Sequence, residues 1–146
     1  MQKSISQKGR RFHFDVLVIG SGIAGLNYIL ELVKLKPHCK IALFAKATLD
    51  YCNSNLAQGG IAAVTESYDS VEKHLKDTLK AGDGATNKKT AQKILAYGQC
   101  AITELISHNV QFDVETLAQE GGHSERRIYH AGDSTGREII RNLVDK

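Results

Sequence analysis

The stretch Asp15-Val16-Leu17-Val18-Ile19-Gly20-Ser21-Gly22-Ile23-Ala24-Gly25 limits the possible folds of this chain more than any other. An apolar run breaks into Gly20-x-Gly22-x-x-Gly25 and then into a helical pattern, which reads as strand, tight turn and helix N-terminus. Gly20 allows a reversal that a Cβ forbids, Gly22 lets the backbone approach a pyrophosphate, and Gly25 lets the helix pack close to its strand. Free N–H groups at the helix start then hold a dianion, so Ser21, Ile23 and Ala24 join the glycines as candidate cofactor-binding residues.

Glycines also cluster in ordinary surface turns, and here the flanks decide for a nucleotide. Val16 to Ile19 suits a parallel strand buried on both faces. Leu26, Ile29, Leu30 and Val33 fall at i, i+3, i+4 and i+7 on a helix that Pro37 stops. Ile41-Ala42-Leu43-Phe44 is a second strand and completes a βαβ unit. The predicted fold class is α/β, a Rossmann-like dinucleotide-binding fold with several additional helices. One departure counts against a nicotinamide cofactor: the acid that usually closes the second strand is replaced by Ala45-Lys46, and no acid occurs between Glu31 and Asp50.

A chain of 146 residues, 42% hydrophobic and 24% charged, has the composition of one globular domain. Its apolar runs fall far short of the ~20 residues that span a bilayer, and no basic start is followed by a leader-like apolar core. The net charge of +3 includes Lys3, Lys8, Arg10 and Arg11. Such a cluster could touch nucleic acid or an anionic surface, but residues 1–13 read as a flexible, solvated basic arm, with no nucleic-acid or membrane partner. Cys39, Cys52 and Cys100 form no CxxC and leave an odd thiol, which suits a reducing cytoplasm.

Residues 47–55 have loop composition, and Leu56 to Val64 reads as another helix entry. Asp69-Ser-Val-Glu72 is a capping-box-like start for a helix carrying Val71, Leu75 and Leu79 and closing near Gly82. One longer helix is expected from Lys88, with Ile94, Leu95, Ile102, Leu105 and Ile106 on one side and Asn109 as its left-handed cap. Val110 to Val114 alternates as a short strand does, and Glu120 to Asp133 reads as irregular. A last helix begins near Thr135, with Thr135-x-x-Glu138 as its cap and Ile139, Ile140, Leu143 and Val144 as its apolar face. Two long strands cannot make a stable doubly wound sheet, so residues 14–146 are expected to be the N-terminal part of a larger domain. His13, His38, His74 and His108 read as surface histidines. His123 and His130 match no strong ligand spacing and stand among Arg126, Arg127 and Arg137, which argues against a metal.

Ile19-Gly-Ser-Gly-Ile-Ala-Gly25, Leu56-Ala-Gln-Gly-Gly-Ile-Ala-Ala63, Glu120-Gly-Gly-His-Ser-Glu-Arg-Arg-Ile-Tyr-His-Ala131 and Asp133-Ser-Thr-Gly-Arg-Glu138 together resemble the N-terminal part of the L-aspartate oxidase family. That family lies within the succinate dehydrogenase and fumarate reductase flavoprotein superfamily. The resemblance implies a truncated FAD-binding domain over 14–146, lacking the rest of the sheet, a capping domain and a C-terminal helical domain. It implies the three glycines on the FAD pyrophosphate and Lys46 near the adenosine end. Asn53, Ser54, Asn55, Leu56, Ala57, Gln58, Gly59 and Gly60 would line the flavin, where a planar ring needs small residues and exposed N–H groups; alternatively Gly59-Gly60 only lets a helix pack closely.

Two positions separate relatives. Asn53 stands where fumarate reductases generally carry the His that bonds covalently to FAD, which implies noncovalent FAD. Glu120 stands where those relatives usually carry an apolar residue, commonly Phe; a carboxylate there would reward the α-ammonium of L-aspartate, giving Glu120 the catalytic role, unless it is a solvated loop acid near Arg126 and Arg127. The implied reaction is oxidation of L-aspartate to iminoaspartate with O2 or fumarate as acceptor, the first step toward quinolinate and NAD, with quinolinate synthase as an expected partner. A soluble fumarate reductase-like flavoprotein and an inactive truncated nucleotide-binding module are the alternatives.

Overall fold

The structure is a computed structural model that describes residues 11–146. Most of the expected basic arm, including Lys3, Lys8 and Arg10, lies outside the described residues; Arg11, Phe12 and His13 are exposed and irregular. Strand β1 (Val16–Ile19) pairs in parallel with β2 (Ile41–Phe44), in a register running from Val16↔Ile41 to Ile19↔Phe44. Helix α1 (Ile23–Leu35) connects them and ends two residues before Pro37. This is the βαβ unit expected, but not the expected burial. Val18 is buried and Leu43 packs against the core, whereas Leu17, Ile19 and Phe44 are exposed, Ile19 at 81%. Side chains alternate across a sheet, and Leu17, Ile19 and Phe44 share a face on which, among the strand residues, only the small Ala42 is buried.

The segment Leu56 to Val64 is not a helix entry. A 3-10 helix, Asn53–Leu56, stops at extended Ala57, and β3 (Ile61–Ala62) then pairs antiparallel with β4 (Ile128–Tyr129). Gly59-Gly60 gives a helix no support, and Gly60 lies so near the Tyr129 carbonyl that a Cβ would collide with it. Strand β4 therefore sits inside the stretch expected to be irregular. No strand forms over 110–114, because Asn109 at φ 67 turns the chain and drops Val110 into the core, leaving one ladder-like bond from Asp113 N–H to the His130 carbonyl at 2.7 Å.

Helix α2 (Val71–Ala81) is capped by Ser70, whose hydroxyl accepts from Lys73 N–H at 3.1 Å; the cap is one residue later than the sequence suggested and no reciprocal box forms, since the Asp69 carboxylate is committed to Arg127. The single helix expected from Lys88 is two, α3 (Lys88–Ala96) and α4 (Gly98–Ser107), broken at Tyr97, where Gly98 presses on Ala63. In α5 (Thr135–Val144) the expected cap is absent: Thr135 Oγ1 accepts from Ala131 N–H, and Glu138 reaches Gln111 N–H. Of the expected apolar face, Ile139, Ile140 and Leu143 join Leu26, Leu105 and Val110 in the main core, whereas Val144 is exposed. Ile61 and Phe112 link that core to a second cluster of Ala63, Ile102, Leu117 and Tyr129. Among the described residues no helix is long and apolar enough to cross a membrane.

Candidate functional site

Gly20 ends β1 at φ +105, a backbone conformation that L side chains rarely adopt, and its N–H donates to the Phe44 carbonyl at 2.8 Å. A Cβ on Gly25 would strike the Gly20 carbonyl, so the helix returns over the turn only because both positions lack side chains. Gly22 occupies the N-cap of α1 with no capping side chain of its own, and the first turn holds no acid. These observations fit a bound pyrophosphate: a positive helix end, open backbone at Gly20 and no competing carboxylate. Ser21 is buried, while Ile23 and Ala24 are exposed at the helix start. Lys46 is exposed two residues beyond β2, at the same carboxyl edge of the sheet as the glycine turn.

The second expected segment reaches the first. Ser54 Oγ accepts from Ile23 N–H at 3.2 Å, and a Cβ on Gly22 would lie 3.3 Å from that oxygen. Helix α5 backs the junction: Gly136 N–H donates to the Ala57 carbonyl at 2.9 Å, and a Cβ on Gly136 would collide with the Ser54 carbonyl. Asn53, Leu56, Ala57, Gln58 and Gly59 are exposed, whereas Asn55 and Gly60 are half-buried. Leu56, at 73% exposure, is a large apolar side chain left uncovered beside this segment.

Glu120 joins through the second sheet. One step beyond the Ile61↔Tyr129 pair, the antiparallel register sets Gly60 across from His130, and His130 Nε2 lies 3.4 Å from Glu120 Oε1. Glu120 is therefore paired with a histidine, and not with Arg126 or Arg127. It opens a turn through Gly121 and Gly122 (φ +88) that closes when His123 N–H donates to the Glu120 carbonyl at 3.1 Å.

Sequence reasoning missed the node beneath this turn. Arg127 is fully buried, with Nε and Nη2 on the two Asp69 oxygens at 2.7 and 2.8 Å and Nη1 on Asp77 Oδ2 at 2.6 Å. Burial pushes both carboxyls up, but the Arg127 guanidinium with Ser70 N–H on Asp69, and with the Ser124 donors on Asp77, outweighs it and holds both below the usual carboxylate range. The Asp69 hydrogen bond, the largest influence, raises Arg127 in turn. His74 and His108 are buried as well, at 4% and 9% exposure, which corrects their reading as surface residues; His13 and His38 are exposed. His74 lies beside the node with its ring centre 5.5 Å from that of His123. Nothing in the spacing of Asp69, Asp77 and Arg127 along the chain announces the cluster.

A parallel βαβ unit with an open glycine turn at its carboxyl edge defines a dinucleotide-binding module. The chain belongs to the FAD binding domain family, whose model matches residues 15–146, and its cofactor is FAD. It is 45% identical over 147 residues to L-aspartate oxidase 2-a, chloroplastic, of Nicotiana tabacum, covering 97% of this chain and 22% of the relative. With the L-aspartate oxidase of Yersinia pestis it shares 43% identity over 141 residues, covering 90% of this chain and 26% of the relative. A solved quinol fumarate reductase of E. coli superimposes with a TM-score of 0.86 at 27% identity, covering 92% of this chain and 24% of that one. The chain thus spans about a quarter of the length of the proteins it matches.

Proposed function

We propose that this chain is the N-terminal part of the FAD-binding domain of an L-aspartate oxidase, acting with the further domains of such an enzyme. The observation that carries the reading is Glu120, exposed on a glycine turn and 3.4 Å from His130, the residue that the β3–β4 register sets across from Gly60. Identity of 43–45% to L-aspartate oxidases supports it. In this reading Gly20 to Gly25 hold the pyrophosphate, Lys46 lies near the adenosine end, and Asn53 to Gly60 line the flavin. Bound FAD supplies the hydride acceptor. Glu120 accepts hydrogen bonds from the substrate ammonium and so orients the Cα–H bond. The products are iminoaspartate and, with O2 as acceptor, H2O2; fumarate is the alternative acceptor. Quinolinate synthase is the proposed partner that consumes the imine, and the cytoplasm the proposed compartment, although the tobacco relative is described as chloroplastic.

The fold similarity to a fumarate reductase favours a second reading, a fumarate reductase-like flavoprotein; Asn53 and Glu120 count against it. The test supplies L-aspartate and O2 to the complete protein and follows H2O2. Turnover with L-aspartate supports the first reading, and fumarate reduction without any amine oxidation supports the second. Residues 1–146 alone, with excess FAD, should show no turnover above the free-flavin background: Leu17, Ile19, Phe44 and Leu56 are uncovered, and cationic groups converging on both substrate carboxylates are expected from beyond position 146.

A further inference from the structure

We propose that Arg127 is a positioning residue that fixes the carboxylate of Glu120, an inference that rests on the L-aspartate oxidase reading. Arg127 touches neither Glu120 nor the flavin-side segment, and acts through the turn between them. Its Nη1 donates to His123 Nδ1 at 3.2 Å; a guanidinium has only donors, so this ring nitrogen is the acceptor and the imidazole proton sits on Nε2. Asp77 Oδ2, shared with Arg127, also accepts from Ser124 N–H at 2.8 Å and Ser124 Oγ at 2.7 Å. The node therefore grips the two residues that follow the Gly121-Gly122 pair. Gln119 Nε2 donates to the His123 carbonyl at 2.9 Å, and His123 N–H closes the turn on the Glu120 carbonyl. On the other side Ala118 is laddered to Ile128 by bonds of 3.1 Å in each direction. Glu120 is thus the exposed corner of a loop pinned at both ends, in a place where two glycines would otherwise let it wander.

Stability alone does not call for such a node. A buried ion triad is often no more stabilising than apolar side chains of the same volume, and what it adds is direction. Here the direction is toward His123 and Ser124, and neither is a core residue. Asp69 and Asp77 fix the guanidinium from the start and the middle of α2, so the helix serves as the rigid support of the turn.

The experiment compares Arg127→Lys and Ser124→Ala, alone and combined with Glu120→Gln, in the complete FAD-loaded protein. Ser124→Ala leaves the Arg127–Asp69 pair untouched and so tests the anchor even where Arg127→Lys fails to fold. We expect each single variant to raise KM for L-aspartate roughly tenfold while FAD content and fumarate reduction stay within twofold. In the Glu120→Gln background the same changes should cost almost nothing, because no carboxylate remains to be positioned. Amide hydrogen exchange over residues 119–126 should accelerate in both variants. Equal losses for L-aspartate and fumarate, costs that add fully to that of Glu120→Gln, or unchanged exchange would each overturn the proposal. A parent protein that never oxidises L-aspartate would overturn the functional reading instead, and the exchange measurement would still decide whether Arg127 anchors the turn.

Discussion

The Ser54 hydroxyl oxygen accepts a hydrogen bond from the Ile23 N–H at 3.2 Å. The first turn of α1 is thereby tied to the segment proposed to line the flavin, thirty-one residues further on. Ser54→Ala removes this tie without adding bulk. FAD affinity of the complete protein should fall by about 1 kcal/mol, roughly fivefold, the net worth of one ordinary hydrogen bond. Flavin fluorescence titration measures it; an unchanged dissociation constant would mean the glycine turn holds its shape unaided.

Asn53 has no ring nitrogen to attack a flavin methyl group, and it is exposed at the start of the 3-10 helix. Acid precipitation of the holoprotein should leave yellow flavin in the supernatant. Flavin retained by the pellet would show a covalent link formed elsewhere.

Glu120→Gln should weaken use of L-aspartate by roughly 1.5–3 kcal/mol in kcat/KM, comparable to one charge-assisted hydrogen bond. Fumarate carries no ammonium, and its reduction should suffer less. Matching losses would reduce Glu120 to a loop support held by His130.

Acid should destabilise the fold in two stages. Burial, and then the positive charge of Arg127, push the His74 imidazole below its ordinary value of 6.5. The unfolded chain therefore binds this proton first, so the stability due to neutral His74 is complete above about pH 6.5 and lost as pH falls toward the folded value. Asp69 and Asp77 are also depressed. Their contribution is complete above about pH 4 and is lost as pH drops further. Thermal melts across pH should show both limbs, and His74→Gln should remove only the upper one. A variant with the parent profile would place the first titration on another group.

The βαβ unit was legible because its signals are local: a strand-length apolar run, glycines at fixed offsets, a helical stripe and Pro37. β1, α1 and β2 follow them closely. Burial was not legible, since the exposure of Leu17, Ile19 and Phe44 depends on layers that local pattern cannot count. The two-residue strands β3 and β4 are too short to leave a period, and they exist because Gly60 admits the Tyr129 backbone. Capping signals misled by one residue at Asp69, whose carboxylate went to the distant Arg127, and altogether at Thr135, whose hydroxyl went to the N–H of nearby Ala131. The same reason hid the Arg127 node and buried His74. Charges that look solvated along the chain meet only after α2 packs against the second sheet.

Gly136 presses on the Ser54 and Ala57 backbones from about eighty residues later in the chain, and α5 closes over α1. Such closure makes the timing of synthesis matter. At translation speeds of about 5–20 residues per second, the glycine turn waits about 4–16 s after the flavin-side segment is made before its backing helix exists. During that interval βαβ is a nucleus without a lid, exposing Leu26 and Leu30, which α5 and its cluster later cover. Until Ser134 to Val144 have been made, Leu26 and Leu30 lack the α5 residues that cover them, and a pause placed between residues 57 and 134 would lengthen that exposure.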